Sequence, residues 1–470
     1  MTRPHPRRET ALAFAISLTA FVSLAAVLWN HGFSHEPSVA RWAMAIRNAD
    51  SPDGATHALT HGFPWLPSAL LWPFTMTSFT RTILAPALIS SAVAAALVTA
   101  FFRRLRAQKV SLAVSIASTV LLACGPMVLW PAISGDATAF SLLMYFWFCA
   151  AVLRASEVED ARALMTIAGL LASSWFCDAR FILMLLPVLP LTSVVIPRKV
   201  LEQHIGAGYL VLLFPSAVAL GSCVYVGLML AGDPLWLLPT GVRDVPASRM
   251  LAGAVGAVLL SLSALLARGR SRVFLLLLLL PLICGCLDQV VSAQPGYLLF
   301  AVLLTAPAAI WAAEILTKRP ALGLGAMVAT TACLWLTLAL ATSPEVPRAL
   351  ASEVRLGEWM RTLTAGHVLV DDASLSSVLA YRNRADDLIL PGDPRFELAV
   401  SGRDPGVDVL LLPDPRQRDR PAPDRLNDAY PTLYTDGLPG YRLEYDQDGW
   451  RAWRRIVKEE TQQSSAAYKR

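Results

Sequence analysis

The chain has 470 residues, of which 55% are hydrophobic and only 16% charged, and its formal net charge is +5. A soluble globular protein carries about 25% charged residues, so this balance excludes a soluble chain and points to one built for lipid, as does the mean hydropathy of +0.50. With a net charge this small, the placement of the basic residues between apolar runs says more than their sum.

The N-terminal "MTRPHPRRET" opens onto an apolar run over 11–29. No small-residue cleavage site follows it, so the run reads as a retained first span and not as a removed signal. Apolar segments recur at 83–102, 110–130, 138–153, 162–175, 180–197, 207–231, 250–267, 273–287, 297–316 and 321–342. With the first they make about eleven spans, each near the roughly 20 residues a crossing helix needs. Segments 162–175 and 273–287 are short for the task.

Orientation follows from the connections. If Arg3, Arg7 and Arg8 are cytoplasmic, so are 102–109, 154–162, 197–204, 267–272 and 317–320, and most of these are plainly basic. The opposite connections, 30–82, 131–137, 176–179, 232–249 and 288–296, are poorer in Lys and Arg for their length. This alternation is the positive-inside pattern. An odd number of spans then places everything after residue 343 on the outer face.

The longest outer connection, 30–82, contains "SVARWAMAIRNA", in which Val39, Trp42, Ala43 and Ile46 form a helical stripe. It reads as a helix lying in the membrane interface. The Trp- and Pro-rich "FPWLPSALLWPF" (63–74) is a second interfacial piece. Beyond residue 345 the composition turns to Asp, Arg and Pro. There "ASEVRLGEWMRTLT" (351–364) reads as an amphipathic helix, and "HVLVDD" (367–372) and "VDVLLLPD" (407–414) as buried strands ending in acidic turns. "YRLEYDQDGWRAWRRI" (441–456) reads as a hairpin turning at Asp448-Gly449. The expected organisation is a membrane domain over 1–344, a small outer α/β domain over 345–458 and a disordered tail over 459–470.

Other chemistry is not signalled. The seven cysteines all lie in or beside apolar segments, which predicts buried thiols and no disulfide framework. The spacing of Cys284 and Cys286 does not suit a metal. There is no P-loop, dinucleotide fingerprint, HExxH or nucleophile elbow. "RQRDRPAPDR" alternates its charges as a solvated loop does, which argues against nucleic acid.

Two acids sit where the chain leaves lipid on the outer side: Glu36 after the first span and Asp136 before the fourth. Each has an ordinary reading, Asp136 as a helix cap and Glu36 as a loop carboxylate. The segment "HEPSVARWAMAIRNAD", the following "HGFPWLPSALLWPF", then "SGDATAFSLLMYFWFCAAVLR", "IAGLLASSWFCDARFILMLLPVLP" and "AGDPLWLLP" come in an order that resembles the GT-C-type glycosyltransferases. The nearest branch is the protein mannosyltransferases and aminoarabinose transferases. The resemblance covers about residues 10–345 and rests on the ordered set, not on any one motif. It implies a GT-C-like polytopic α-helical fold and an inverting transfer from a polyprenyl-phosphate sugar donor to a glycan, lipid or protein acceptor. It also implies a setting in the bacterial inner membrane, with the C-terminal domain periplasmic. The family's first motif often reads Asp-Glu or Asp-Asp, whereas this chain has His35-Glu36. The missing acid weakens the case for a metal-binding pair, though a divalent metal stays open. Glu36 is then the main candidate base, with Asp50 and Asp53 as fallbacks.

Such a transfer needs a base for the acceptor hydroxyl, cations for the leaving phosphate and an apolar groove for the lipid. Glu36 is the expected base and Asp136 its partner or substitute. Arg180, Arg243, His61 and Arg41 are the expected phosphate- or substrate-binding groups. Their ordinary readings are a pair with Asp178 for Arg180, a solvated loop for Arg243 and packing on Trp65 for His61. Two other functional classes compete: a non-catalytic scaffold of the same fold, and a lipid or solute transporter. The transporter would need polar groups at mid-membrane and broken, repeated helices, and neither is evident in the sequence.

Overall fold

The computed structural model describes residues 6–31, 33, 35–50, 59, 64–77, 79–157, 161–181, 184, 188, 198–232, 270–291, 299, 302–341, 348–363, 366–370, 375–390, 395–402, 406–416 and 425–456. Asp53, His61, Asp233, Arg243, Asp371 and Asp372 lie outside them, as does most of the expected spans 180–197 and 250–267. The chain divides into two compact units, one made of Met1–Arg41 and Ala55–Pro344, the other of Trp42–Gly54 and Glu345–Arg470.

The first unit is helical. Its elements are α1 (Pro6–Asn30), the start of α2 (Glu36–Asp50), α3 (Trp65–Thr75), α4 (Ala85–Ala107), α5 (Leu112–Ala123), α6 (Pro126–Ser134), α7 (Thr138–Glu157), α8 (Ala161–Trp175), α9 (Arg198–Val226), α10 (Arg270–Val291), α11 (Thr305–Lys318) and α12 (Pro320–Ala341). Among the described residues four helices are long and apolar enough to cross a membrane, with cores at Arg8–Asn30, Ala85–Ala107, Thr138–Glu157 and Gly206–Leu230. A fifth crossing is available if α5 and α6 form one span, bent by 59°. The bend falls at Cys124-Gly125-Pro126, where Gly125 and a proline at the start of α6 end one helix and begin the next. Sequence periodicity gave a single span ending at 130, because the break is only two residues long and apolar on both sides. Helix α6 instead runs on to Ser134 and delivers Gly135 and Asp136.

Helix α4 is the hub of this unit, packing against α1, α5, α6, α7 and α11. Its small residues Ala94, Ala95 and Val98 are fully covered and let its neighbours come close. They join Phe101, Leu142, Phe146, Cys149, Leu171, Leu277 and Ile310 in one continuous apolar core. Large apolar side chains such as Leu12, Ile16, Phe214 and Leu322 are exposed, as expected where lipid is the solvent.

The second unit is α/β. It contains the C-terminal part of α2, α13 (Arg348–Arg361), β1 (His367–Val370), α14 (Leu375–Arg382), β2 (Leu388–Ile389), α15 (Phe396–Val400), β3 (Val407–Pro413), α16 (Arg425–Ala429), α17 (Leu433–Asp436), β4 (Tyr441–Gln447) and β5 (Trp450–Arg455). The strands form one sheet in the order β2-β1-β3-β5-β4. β1 pairs in parallel with β2 and β3, while β3–β5 and β4–β5 are antiparallel. The two apolar runs thus become adjacent central strands, and the hairpin extends the sheet on one side. Asp448 and Gly449 both take positive φ, 55° and 76°, at the hairpin turn, as a two-residue primed turn requires. Leu369, Ile389, Phe396, Leu410, Leu412, Leu433 and Trp453 form the core on the sheet.

The stripe of α2 has a different fate from the one its periodicity suggested. Val39, Trp42, Ala43 and Ile46 are all buried within the protein, so that face is not offered to lipid. Trp42 Nε1 donates to Asn383 Oδ1 at 3.0 Å, and the amide of Ala385 donates to Asp50 Oδ2 at 2.9 Å. Both bonds lie inside the second unit.

Candidate functional site

The site starts from Gly135. Its φ of +78° is left-handed, and a Cβ there would lie 2.8 Å from the Ala87 nitrogen and 2.9 Å from Pro86. Only glycine fits this close approach to the start of α4. The turn is then fixed by side chains. Ser90 Oγ donates to the Asp136 carbonyl at 3.1 Å, Ser91 Oγ to the Ala132 carbonyl at 3.0 Å, and the Asp136 amide to Ser134 Oγ at 3.3 Å. Asp136 Oδ1 accepts the Thr138 amide at 2.9 Å. The carboxylate therefore caps α7, a place favoured also by the helix dipole.

The cap occupies one oxygen only. Asp136 Oδ2 lies 3.8 Å from His35 Nε2, with the two side chains 15% and 16% exposed. Contact with solvent is thus small but not closed. His35 sits at the entry of α2, where its carbonyl accepts the amides of Ser38 and Val39. Its Nδ1 is 2.8 Å from Ser38 Oγ. Its ring meets Trp130 edge to face at 6.0 Å, and Phe33 meets the same indole at 5.5 Å. Trp29 Nε1 donates to the Ile133 carbonyl at 3.0 Å, which ties the end of α1 to α6 beneath the site.

Arg41 closes the cluster. One turn after Ser38 on α2, its Nη2 donates to the Gly135 carbonyl at 2.9 Å and to Ser38 Oγ at 3.4 Å. A cation is thereby held beside Asp136. Burial pushes the His35 imidazole below its ordinary value; Asp136 opposes this shift and Arg41 adds to it. The imidazole is accordingly neutral at pH 7.

Of the six residues singled out in the sequence, Asp136 and Arg41 meet here. Glu36 is the first residue of α2 and is exposed. Arg180 stands in the turn after α8, where its Nε and Nη2 form a fork on Asp178 at 2.9 and 2.6 Å, as its ordinary reading anticipates. Arg243 and His61 are outside the described residues. Asp50 accepts the Ala385 amide as described above. Among the described residues no group of three or more His, Cys, Asp or Glu side chains is placed to hold a metal ion. Sequence reasoning missed His35 and Ser38. His35 was noticed only as the place of a missing acid, although His35, Ser38 and Arg41 recur at a spacing that puts them on one helix face.

No family model matches the sequence, and no curated protein does. Among solved structures, the chain is similar to ArnT from Cupriavidus metallidurans bound to undecaprenyl phosphate. The match has a TM-score of 0.56 and 12% identity, and covers 94% of this chain and 98% of that one. The chain therefore has an ArnT-like fold. With its apolar helices of spanning length, it is a multi-pass membrane protein.

Proposed function

We propose that this protein is an inverting membrane glycosyltransferase that moves a sugar from a polyprenyl-phosphate donor to a glycan, lipid or protein acceptor on the outer face of a bacterial inner membrane, with the C-terminal unit in the periplasm. The observation that carries this is the meeting of Asp136 with His35 and Arg41 across about a hundred residues of chain. Two segments that both leave the lipid on the expected outer side converge on one half-buried ionisable cluster. A carboxylate, an imidazole and a guanidinium whose described hydrogen bonds are one cap and three others are the groups such a transfer uses. The fold adds a second support, since a protein of the same architecture holds undecaprenyl phosphate.

In this mechanism the acceptor oxygen attacks C1 of the sugar from the face opposite the lipid phosphate. The C1–O bond breaks and the electron pair leaves with the phosphate. A group at the cluster takes the acceptor's proton; Asp136 and Glu36 are the two carboxylates at that corner. Arg41, whose Nη2 is held by the Gly135 carbonyl and Ser38 Oγ, is the guanidinium of the cluster that would meet the developing charge on the phosphate. Arg180, Arg243 and His61 are further candidates for that charge.

The test uses purified full-length protein in nanodiscs with a panel of undecaprenyl-phosphate-linked sugars: mannose, glucose, galactose and aminoarabinose. Release of undecaprenyl phosphate is measured with and without crude envelope extract as acceptor. Acceptor-dependent release from at least one donor is expected. A chain that binds undecaprenyl phosphate yet releases it from none of them is a scaffold or a carrier and not a transferase.

A further inference from the structure

We propose that His35, not a carboxylate, accepts the proton of the attacking hydroxyl, with Asp136 holding the resulting imidazolium and Ser38 fixing the ring. This rests on the transferase function above and names the residue that performs its proton step.

The geometry singles out this ring. His35 is held at three points: Nδ1 by Ser38 Oγ at 2.8 Å, the ring edge by Trp130, and the backbone by the first turn of α2. Rigid placement of this kind is what a general base needs. The tautomer protonated at Nδ1 donates to Ser38 Oγ and leaves the lone pair on Nε2. That nitrogen points toward Asp136 Oδ2, but the 3.8 Å between them is too long for a direct hydrogen bond. Both side chains keep some exposure, 16% for His35 and 15% for Asp136, so the pair is not sealed from an incoming hydroxyl. Asp136 is unsuited to be the base itself, because Oδ1 already accepts the Thr138 amide at the head of α7. Glu36, exposed on the first turn of α2, lacks such a frame among the described contacts.

The step balances as follows. The acceptor O–H proton passes to Nε2 as the acceptor oxygen bonds to C1. The bond from C1 to the phosphate oxygen breaks, and its electrons remain on the departing lipid phosphate. The imidazolium formed faces Asp136 across the 3.8 Å gap, and it releases its proton to water once the product leaves. The charged groups around His35 are Asp136, which favours protonation, and Arg41, which disfavours it together with burial; Glu36 is its neighbour in the chain. The ring is therefore neutral, and ready to accept, at ordinary pH.

The experiment measures kcat and KM against pH in the nanodisc assay, with whichever panel donor the wild type turns over. His35→Gln is expected to lower kcat by about 100-fold or more, the usual size of a general-base contribution. It should leave undecaprenyl phosphate binding within about twofold and remove the acid limb of the kcat profile. Asp136→Asn is expected to move that limb to lower pH, because the carboxylate raises the imidazole's affinity for a proton. A His35→Gln enzyme that keeps its kcat overturns the proposal while leaving the transferase intact. So does an acid limb that vanishes in Glu36→Gln but persists in His35→Gln. A wild type that turns over no donor removes the transferase reading itself. Should His35→Gln not fold, wild-type protein treated with diethylpyrocarbonate gives the answer. Inactivation should track modification of His35 by peptide mass spectrometry, slow in the presence of undecaprenyl phosphate, and reverse with hydroxylamine. Full activity with His35 modified would overturn the proposal.

Discussion

Asp136 places its structural contact and its proposed chemical one on separate atoms. Oδ1 caps α7 and Oδ2 faces His35. The two loads come apart by substitution. Asn caps about as well as Asp, whereas Ala forfeits the cap at a cost of about 1 kcal/mol. Asp136→Asn is thus expected to keep the melting temperature of the wild type and Asp136→Ala to lower it, with both losing turnover; loss of turnover in Asp136→Ala alone would make the residue a cap and nothing more. Arg180 gives the contrasting case. Its fork is closed on Asp178, two residues away, so the sequence reading of a local pair was sound. Asp136 stood out in the sequence because charge beside an apolar span is costly; Glu36, chosen on the same ground, is an exposed residue of α2. His35 did not stand out, because its spacing to Ser38 and Arg41 marks only a shared helix face, and the folded chain alone shows Trp130 and Asp136 around it.

At the scale of elements, the site depends on two short breaks in apolar segments. The first is the 59° bend between α5 and α6, and the second is the left-handed Gly135 that follows. Gly135→Ala would set a Cβ against the backbone of Pro86 and Ala87 and force a residue with a side chain into positive φ, which costs of order 1–3 kcal/mol before any clash is relieved. It is expected to lower the melting temperature and to reduce turnover by displacing Asp136; unchanged stability would show that the start of α4 gives way freely. Apolar length made the spanning helices readable, and Asp448-Gly449 made the hairpin readable from its turn chemistry alone. The bend was hidden because a continuous apolar run looks alike whether straight or kinked. The stripe on α2 was read as a helix with one apolar face, correctly, but periodicity says only that a face is apolar and not what covers it.

For the whole molecule, the division into units is not a division of the sequence into two pieces. Residues 42–54 belong with the C-terminal unit, where Trp42 is bound to Asn383 and Asp50 to the Ala385 amide. A chain ending at Pro344 would leave Trp42 and Asp50 without these partners, freeing Trp42, one of the largest fully buried side chains in the protein. Truncation there is expected to give protein that is cleaved by trypsin at Arg47 where the full chain is protected. Equal protection in both would show that residues 42–54 do not need the C-terminal unit. The composition change after residue 345 made that unit visible in the sequence. Its recruitment of a segment from 300 residues earlier was invisible, because nothing local in "WAMAIRNAD" distinguishes burial in a distant sheet domain from burial in a membrane surface.

The central claim is that Asp136 and the segment after the first span form one site for a polyprenyl-phosphate sugar. It is tested most directly by comparing donor turnover in Asp136→Asn and wild-type protein, matched for melting temperature and for undecaprenyl phosphate binding. A fall in kcat of about 100-fold or more is expected. Equal turnover in the two would contradict it.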